Sequence, residues 1–362
     1  MSSPRILIVG NFLSAHGASR GVCEELAPRL QASGWTVLTT SDKRSRLARL
    51  ADMLWTTWSR RNDYDVAQVD VYSGPAFSWA EAVCWVLRQA KRPYVLTLHG
   101  GALPRFAHGR RQRVERLLKS ASAVTVPSPY LLERMSEFRK DLTLLPNGLP
   151  IPAYKSRPVR TLKPRLLWLR AFHGIYNPTL VPRVLARLND EFPTLHMTMA
   201  GADKGDGAYQ KTAAAAKAAG VEDCLELRGS IPKSDVPAFL ATGDIFLNTT
   251  NVDNTPVSVL EAMASGLCVV STNVGGIPYL LQDGKDAVLV PADDDEAMAA
   301  AVRSLLQNVA LAERIQIASK AKVKRFDWSV ILPLWREILT TAAQRGSSVA
   351  GRGSVANTVT AI

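Results

Sequence analysis

Twelve short runs of aliphatic and β-branched residues recur along the chain, and each leads into a turn and then a segment with helical spacing. The first six are Arg5–Val9, Trp35–Thr40, Val66–Val71, Tyr94–Leu98, Ala123–Val126 and Leu142–Leu145. The second six are Arg165–Leu169, Leu195–Ala200, Cys224–Arg228, Asp244–Asn248, Leu267–Val270 and Ala287–Val290. Near-continuous apolar runs predict parallel strands buried on both faces, with helices packed above and below. Val22, Leu26 and Leu30 share one helix face, and Gly34 falls where a C′ glycine would end that helix. Asn177 before Pro178 predicts an N-cap and first helical position. Helices over about 294–308, 310–324 and 328–343 close the pattern.

The alternation breaks once. Residues 150–164 carry four prolines, several charges and no apolar period. This predicts two doubly wound parallel-sheet domains, 1–152 and 165–326, joined by a linker over 153–164. A last helix over 327–345 and a flexible tail over 346–362 follow. Two such domains imply a cleft, with ligands at the carboxyl ends of the strands.

The 362 residues are enough for two buried cores, and 47% hydrophobic with 21% charged residues excludes a disordered or polytopic membrane chain. No run reaches the roughly 18 apolar residues of a membrane span, and Ile6–Val9 is too short for a signal-peptide core. Cys23, Cys84, Cys224 and Cys268 show no paired spacing, so the chain reads as cytosolic, with reduced thiols and no structural metal. The charge is lopsided. Residues 1–150 hold 21 Lys and Arg against 12 Asp and Glu, whereas 151–330 are nearly balanced at 20 against 19. A basic first half suggests an anionic partner.

Three places carry candidate chemistry. The first strand–helix turn, Gly10 to Gly21, includes His16 and Gly17 and is rich in small residues that admit a close ligand, although it lacks the Gly-x-Gly-x-x-Gly spacing. His99-Gly100-Gly101 ends a strand, where an imidazole can face a ligand. The densest stretch is 244–278. There Thr255 as N-cap and Pro256 at N1 would open a helix whose first amides can hold a phosphate. Glu261, about a turn and a half in, is placed to accept hydrogen bonds from a ribose diol, and Asp253 can meet other hydroxyls. Gly275-Gly276 offers another close backbone approach.

These residues resemble the retaining GT-B glycosyltransferases of family four, the group-one glycosyltransferases. The resemblance rests on Leu145-Pro146-Asn147-Gly148, Trp168-Leu169-Arg170, Asp253-x7-Glu261-Ala-Met-Ala-x-Gly and Gly275-Gly276-Ile277-Pro278, in the family's order. It implies two Rossmann-like domains facing a cleft, with the C-terminal helix crossing back to the first. It further implies a nucleoside-diphosphate sugar as co-substrate, held by the second domain, and an acceptor held by the first. Glu261 would bind the donor ribose. Asp253, Asn254, Thr255, Pro256, Val257 and Ser258 would contact sugar and diphosphate, and Gly229 and Ile231 would line the base. Arg170 would neutralise the diphosphate, and His99 would contact the sugar. His16, Gly100 and Gly101 fall on the acceptor side, and Gly17 on the donor. Attack on the same face as the departing phosphate, without a metal, is the mechanism implied. Two departures stand out: Asp253 occupies a position where the family usually has glutamate, and no lysine follows Arg170, so that either His173 substitutes or the diphosphate relies more on Arg170 and backbone amides.

On the acceptor side, residues 43–61 place Leu47, Leu50, Leu54 and Trp58 at helical spacing among basic residues, and a second basic run spans Arg105 to Lys119. Such stretches suit an anionic bilayer; the competing account packs the apolar face on the sheet. The expected protein is therefore a cytoplasmic enzyme, peripheral at the inner membrane face, building a polysaccharide or glycolipid on a glycan or lipid-linked acceptor. A nucleotide-sugar epimerase of the same architecture is the alternative, and a nucleic-acid-binding or scaffold protein a remoter one, since no nucleic-acid motif accompanies the basic charge.

Overall fold

The computed structural model describes residues 4–16, 21–155 and 162–349. Residues 1–3, Gly17 and the three residues after it, the middle of the proline-rich stretch and the tail from 350 lie outside them. All twelve expected strands are present: β1 (Arg5–Val9), β2 (Thr36–Thr40), β3 (Val66–Val71), β4 (Tyr94–Leu98), β5 (Ala123–Val126), β6 (Leu142–Leu144), β7 (Arg165–Leu169), β8 (His196–Ala200), β9 (Leu225–Arg228), β10 (Ile245–Asn248), β11 (Cys268–Thr272) and β12 (Val288–Val290). Their ends differ from expectation by a residue or two, as frayed ends do.

The chain divides into two compact units, Met1–Gly148 with Ser329–Ile362, and Leu149–Trp328. The first unit holds a six-stranded sheet in the order β2-β1-β3-β4-β5-β6, every neighbouring pair parallel. Its core packs Val69, Val71, Leu96, Leu98 and Val124 beneath Phe77, Val83 and Leu87 of helix Pro75–Gln89. The last helix, Trp328–Val349, belongs to this unit from Ser329 onward and buries Ile331, Trp335 and Leu339.

The second unit holds the sheet β12-β11-β10-β7-β8-β9, again all parallel. One face packs Leu166, Trp168, Ile245 and Val270 under helices Leu180–Ala186 and Asp295–Gln307. The other packs Leu167, Phe246 and Val269 under helix Val257–Ala264. Within the proline-rich stretch, Tyr154 and Leu162 are buried side chains of this unit's two cores. The four cysteines are free and buried.

Two helix starts differ from the sequence reading. Asn177 does not cap a helix opening at Pro178: it sits in the left-handed region at φ 44° and ends a 3-10 turn, and the helix starts at Leu180 after Thr179. Asparagine tolerates that conformation, and its amide donates to Asp293 Oδ1 at 2.9 Å while Thr179 donates to its oxygen at 3.0 Å. Likewise Thr255 is not the cap of the 257–264 helix. Pro256 is, with ψ at 115°, so Val257 is the first helical residue and no side chain caps the helix.

Candidate functional site

In the second unit the residues singled out gather at the carboxyl ends of β7 and β10. Arg170 follows β7 directly. Its guanidinium lies 4.1 Å from the centroid of the Tyr176 ring and pairs with the Asp253 carboxylate. A planar cation stacked on an aromatic face and paired through one nitrogen with a carboxylate has little freedom left. Arg170 Nε is buried and has no partner among the described residues. Burial pushes the Asp253 carboxyl above its ordinary pKa, and Arg170 opposes that shift.

The polypeptide from 249 to 256 is held by its own hydrogen bonds. Thr249 donates to the Tyr176 carbonyl at 2.6 Å, Asn251 N–H to the Ile175 carbonyl at 2.8 Å, and Asn254 N–H to Asp253 Oδ1 at 2.8 Å. The glycine pair serves this loop. A Cβ on Gly275 would lie 2.3 Å from the Asp253 carbonyl oxygen, and one on Gly276 2.0 Å from that of Asn254. The close approach expected there is thus to the loop's own backbone, secured by Gly276 N–H donating to the Asp253 carbonyl at 2.9 Å. We expect Gly276→Ala to cost about 1–3 kcal/mol of stability, as overpacking does, with a melting curve as the check.

After the loop, the helix opens with the amides of Val257 and Ser258 lacking intrahelical acceptors. Ser258 Oγ is buried and also unpartnered among the described residues. Donors at the positive end of a helix are of the kind that suits an anion. One turn on, Glu261 is 2% exposed. Tyr154 OH donates to its Oε1 at 2.6 Å, and the Lys233 ammonium pairs with the same oxygen. Among the described residues Oε2 carries no hydrogen bond. Gly229 and Ile231 lead into Lys233; Gly229 is exposed and its carbonyl accepts from Gly201 N–H at 3.1 Å. His173, expected in place of the missing lysine, accepts from Ile175 N–H at 3.1 Å through Nδ1, with Nε2 3.8 Å from Asp206. Its ring orders the turn that carries Tyr176.

In the first unit His99 follows β4, buried at 7% exposure. Its Nε2 lies 2.9 Å from Asp70 Oδ1, and its ring stacks on Tyr72 at 4.8 Å and 18°. Gly100 takes φ 87°, which glycine adopts without strain, and Gly101 continues the turn toward helix Leu103–His108. His16 ends the 3-10 turn Ser14–His16. The Glu24 carboxylate ties that loop at both ends, accepting from Ser14 N–H at 2.9 Å and Gly21 N–H at 2.8 Å. Gly10 is small for an internal reason: its Cβ would stand 2.6 Å from Cys23 Sγ and 2.8 Å from Asp70 Oδ2.

Sequence reasoning missed Tyr154, Lys233, Tyr176, Gly201 and Asp70. A Cβ on Gly201 would fall 1.6 Å from the Arg170 carbonyl oxygen. Asp70 had left a trace, since Gln68 and Asp70 alternate on one face of a strand that is otherwise apolar.

Two family models match this chain: "Glycosyltransferase Family 4" over residues 19–151 and "Glycosyl transferases group 1" over residues 164–308. The phosphatidyl-myo-inositol mannosyltransferase of Mycobacterium leprae is 26% identical over 301 residues, 81% of this chain and 77% of that protein. The amylovoran biosynthesis glycosyltransferase AmsK of Erwinia amylovora is 36% identical over 110 residues, 29% of this chain and 27% of that protein. Among solved structures, Anabaena Alr3699/HepE in complex with UDP and glucose superposes with a TM-score of 0.74 at 17% identity, covering 93% of this chain and 100% of that one. The sucrose-phosphate synthase of Thermosynechococcus elongatus gives 0.74 at 16%, covering 93% and 99%. The fold is the two-domain α/β GT-B fold. The chain belongs to the group-1 glycosyltransferases of that fold.

Proposed function

We propose that this glycosyltransferase moves a sugar from a nucleoside-diphosphate sugar to a lipid-linked or glycan acceptor, with retention of configuration and without a metal ion. The observation that carries this reading is the set of unsatisfied donors beside a buried carboxylate in the second unit. Arg170 Nε, Ser258 Oγ and the first amides of helix Val257–Ala264 suit a diphosphate, and Glu261 Oε2 suits a ribose hydroxyl pair. Negative charge develops on the departing nucleoside diphosphate, and a fixed guanidinium with helix-terminal amides stabilises it in place. The same phosphate oxygen can take the acceptor proton as the new glycosidic bond forms on the face it leaves. Lipid linkage of the acceptor is supported by the inositol-lipid acceptor in the M. leprae relative's name.

Helix Arg46–Ser59 supports a membrane-surface role. Met53 and Thr57 are buried and Leu54 packs against the core, whereas Leu47, Trp55 and Trp58 are 81%, 70% and 44% exposed. The expected single apolar face is thus divided between core and solvent. Lys43, Arg44, Arg46, Arg60 and Arg61 flank the exposed part, with Arg61 4.6 Å from the Trp58 ring centroid. Exposed tryptophans among cations fit acidic headgroups, at about 1 kcal/mol per basic residue near the surface. Among the described residues no helix is long and apolar enough to cross a membrane. We expect the chain to sediment with phosphatidylglycerol vesicles at low salt and Leu47→Ser/Trp55→Ser/Trp58→Ser to stay in the supernatant. Equal recovery of both would remove the membrane role.

The mechanism is tested by incubating the chain with a nucleotide-sugar panel, phosphatidylinositol vesicles and a chelator, then reading the product's anomeric proton by NMR. Transfer with the donor's own anomeric configuration is the expected result. An inverted product, or transfer abolished by the chelator, overturns that part of the reading.

A further inference from the structure

Beneath His99 in the first unit lies a buried polar cluster that the donor-binding residues of the second unit do not account for. In the parallel pairing of β3 with β4, Asp70 stands opposite Thr97. Gln68 Nε2 donates to Asp70 Oδ1 at 2.8 Å and to Thr97 Oγ1 at 2.9 Å, and Thr125 Oγ1 lies 3.2 Å from Thr97 Oγ1. Asp70 Oδ1 also takes the 2.9 Å contact from His99 Nε2. The Asp70 side chain is 3% exposed and that of His99 8%. Asp70 Oδ2 has no partner among the described residues. A carboxylate buried in a sheet is costly unless its contacts compensate, and here Gln68 of β3 and His99 just beyond β4 both meet one oxygen.

We propose that Asp70 is a positioning residue for His99: it fixes the imidazole with the proton on Nε2, leaving Nδ1 as the acceptor for a sugar hydroxyl. An ionised carboxylate can only accept, so the nitrogen facing it carries the proton. In neutral imidazole the other nitrogen is then a bare lone pair. Among the described residues nothing hydrogen-bonds His99 Nδ1. Three contacts hold the ring: Asp70 at Nε2, Tyr72 stacked on its face, and the backbone, where His99 N–H donates to the Val71 carbonyl at 2.9 Å. Gln68 holds the carboxylate in turn, so the aspartate cannot rotate without losing two donors at once. The ligand class is a polyol whose hydroxyl donates to nitrogen, as a sugar ring does. This role for Nδ1 rests on the reading of His99 as a sugar contact; the tautomer does not.

The test is a multiple-bond 1H–15N correlation spectrum of the full 15N-labelled chain, beside turnover of UDP-, GDP-, ADP- and CDP-sugars with phosphatidylinositol vesicles. The chain has five histidines, so the His99 resonances are those lost in His99→Ala. Wild type should show a protonated Nε2 and a bare Nδ1. Asp70→Asn should show a mixed or reversed pattern, and its kcat should fall about 10–100-fold, as when an orienting partner is lost. A wild-type proton on Nδ1 overturns the proposal and needs no variant to fold. So does an Asp70→Asn variant whose spectrum or kcat matches wild type. His99→Ala with full turnover instead overturns the sugar contact, while the tautomer is judged separately from the spectrum.

Discussion

Arg170→Ala is expected to lower kcat by about 100- to 1,000-fold, the scale for removing one preorganised donor from developing negative charge. Arg170 is 16% exposed in its side chain, stacked on Tyr176 and paired with Asp253, so its position is set before a donor arrives. The donor KM should change far less, because the charge that Arg170 meets grows as the glycosidic bond breaks. Alanine also strands the Asp253 carboxylate, whose burial already favours its neutral form. Arg170→Ala/Asp253→Asn separates the two effects: turnover stays low if the guanidinium itself matters, and recovers if the damage was an unpaired carboxylate. Arg170→Lys keeps the charge without the planar stacked guanidinium and should fall between wild type and alanine. Steady-state kinetics of all three variants decide it.

Glu261→Ala is expected to act on the other constant. A hydrogen bond from a ribose hydroxyl to a carboxylate is worth about 1.5–3 kcal/mol, so losing even one should raise the donor KM at least about 10-fold. The same change removes the buried hydrogen bond from Tyr154 OH and the partner of Lys233, at a cost of about 0.5–1.5 kcal/mol of stability for the hydrogen bond. Glu261→Gln keeps the shape and should retain most of the stability while losing affinity. The specific check is a 2′-deoxy donor. Wild type should reject it relative to the ribose form, and Glu261→Ala should treat the two alike. Continued discrimination by the alanine variant would place the ribose elsewhere.

The strands were legible because a parallel sheet buried on both faces needs apolar runs, and β1, β4 and β7 consist of little else. The loop over 249–256 was legible as a local arrangement: a strand, a polar turn and a helix start within thirty residues. The start of that helix was misplaced by one residue, since Thr255 and Pro256 suit a cap and first position in isolation. The Gly275-Gly276 contacts with residues 253 and 254 instead shape the turn. What could not be read were partners distant in sequence. Tyr154 reaches Glu261 across 107 residues, and Asp70 reaches His99 across 29. Tyr154 sits among prolines that resemble a linker, and nothing local marks it as a core residue. Asp70 required the β3–β4 register, which apolar patterning does not supply.

The most direct measurement is a calorimetric titration of the chain with UDP-, GDP-, ADP- and CDP-sugars in the presence of a chelator, repeated on Glu261→Ala. Saturable heat from one nucleotide class, weakened at least about 10-fold in the variant, is the expected result. Binding of equal strength in both proteins would contradict the placement of the donor ribose on Glu261, and absence of binding by every nucleotide sugar would contradict the donor site itself.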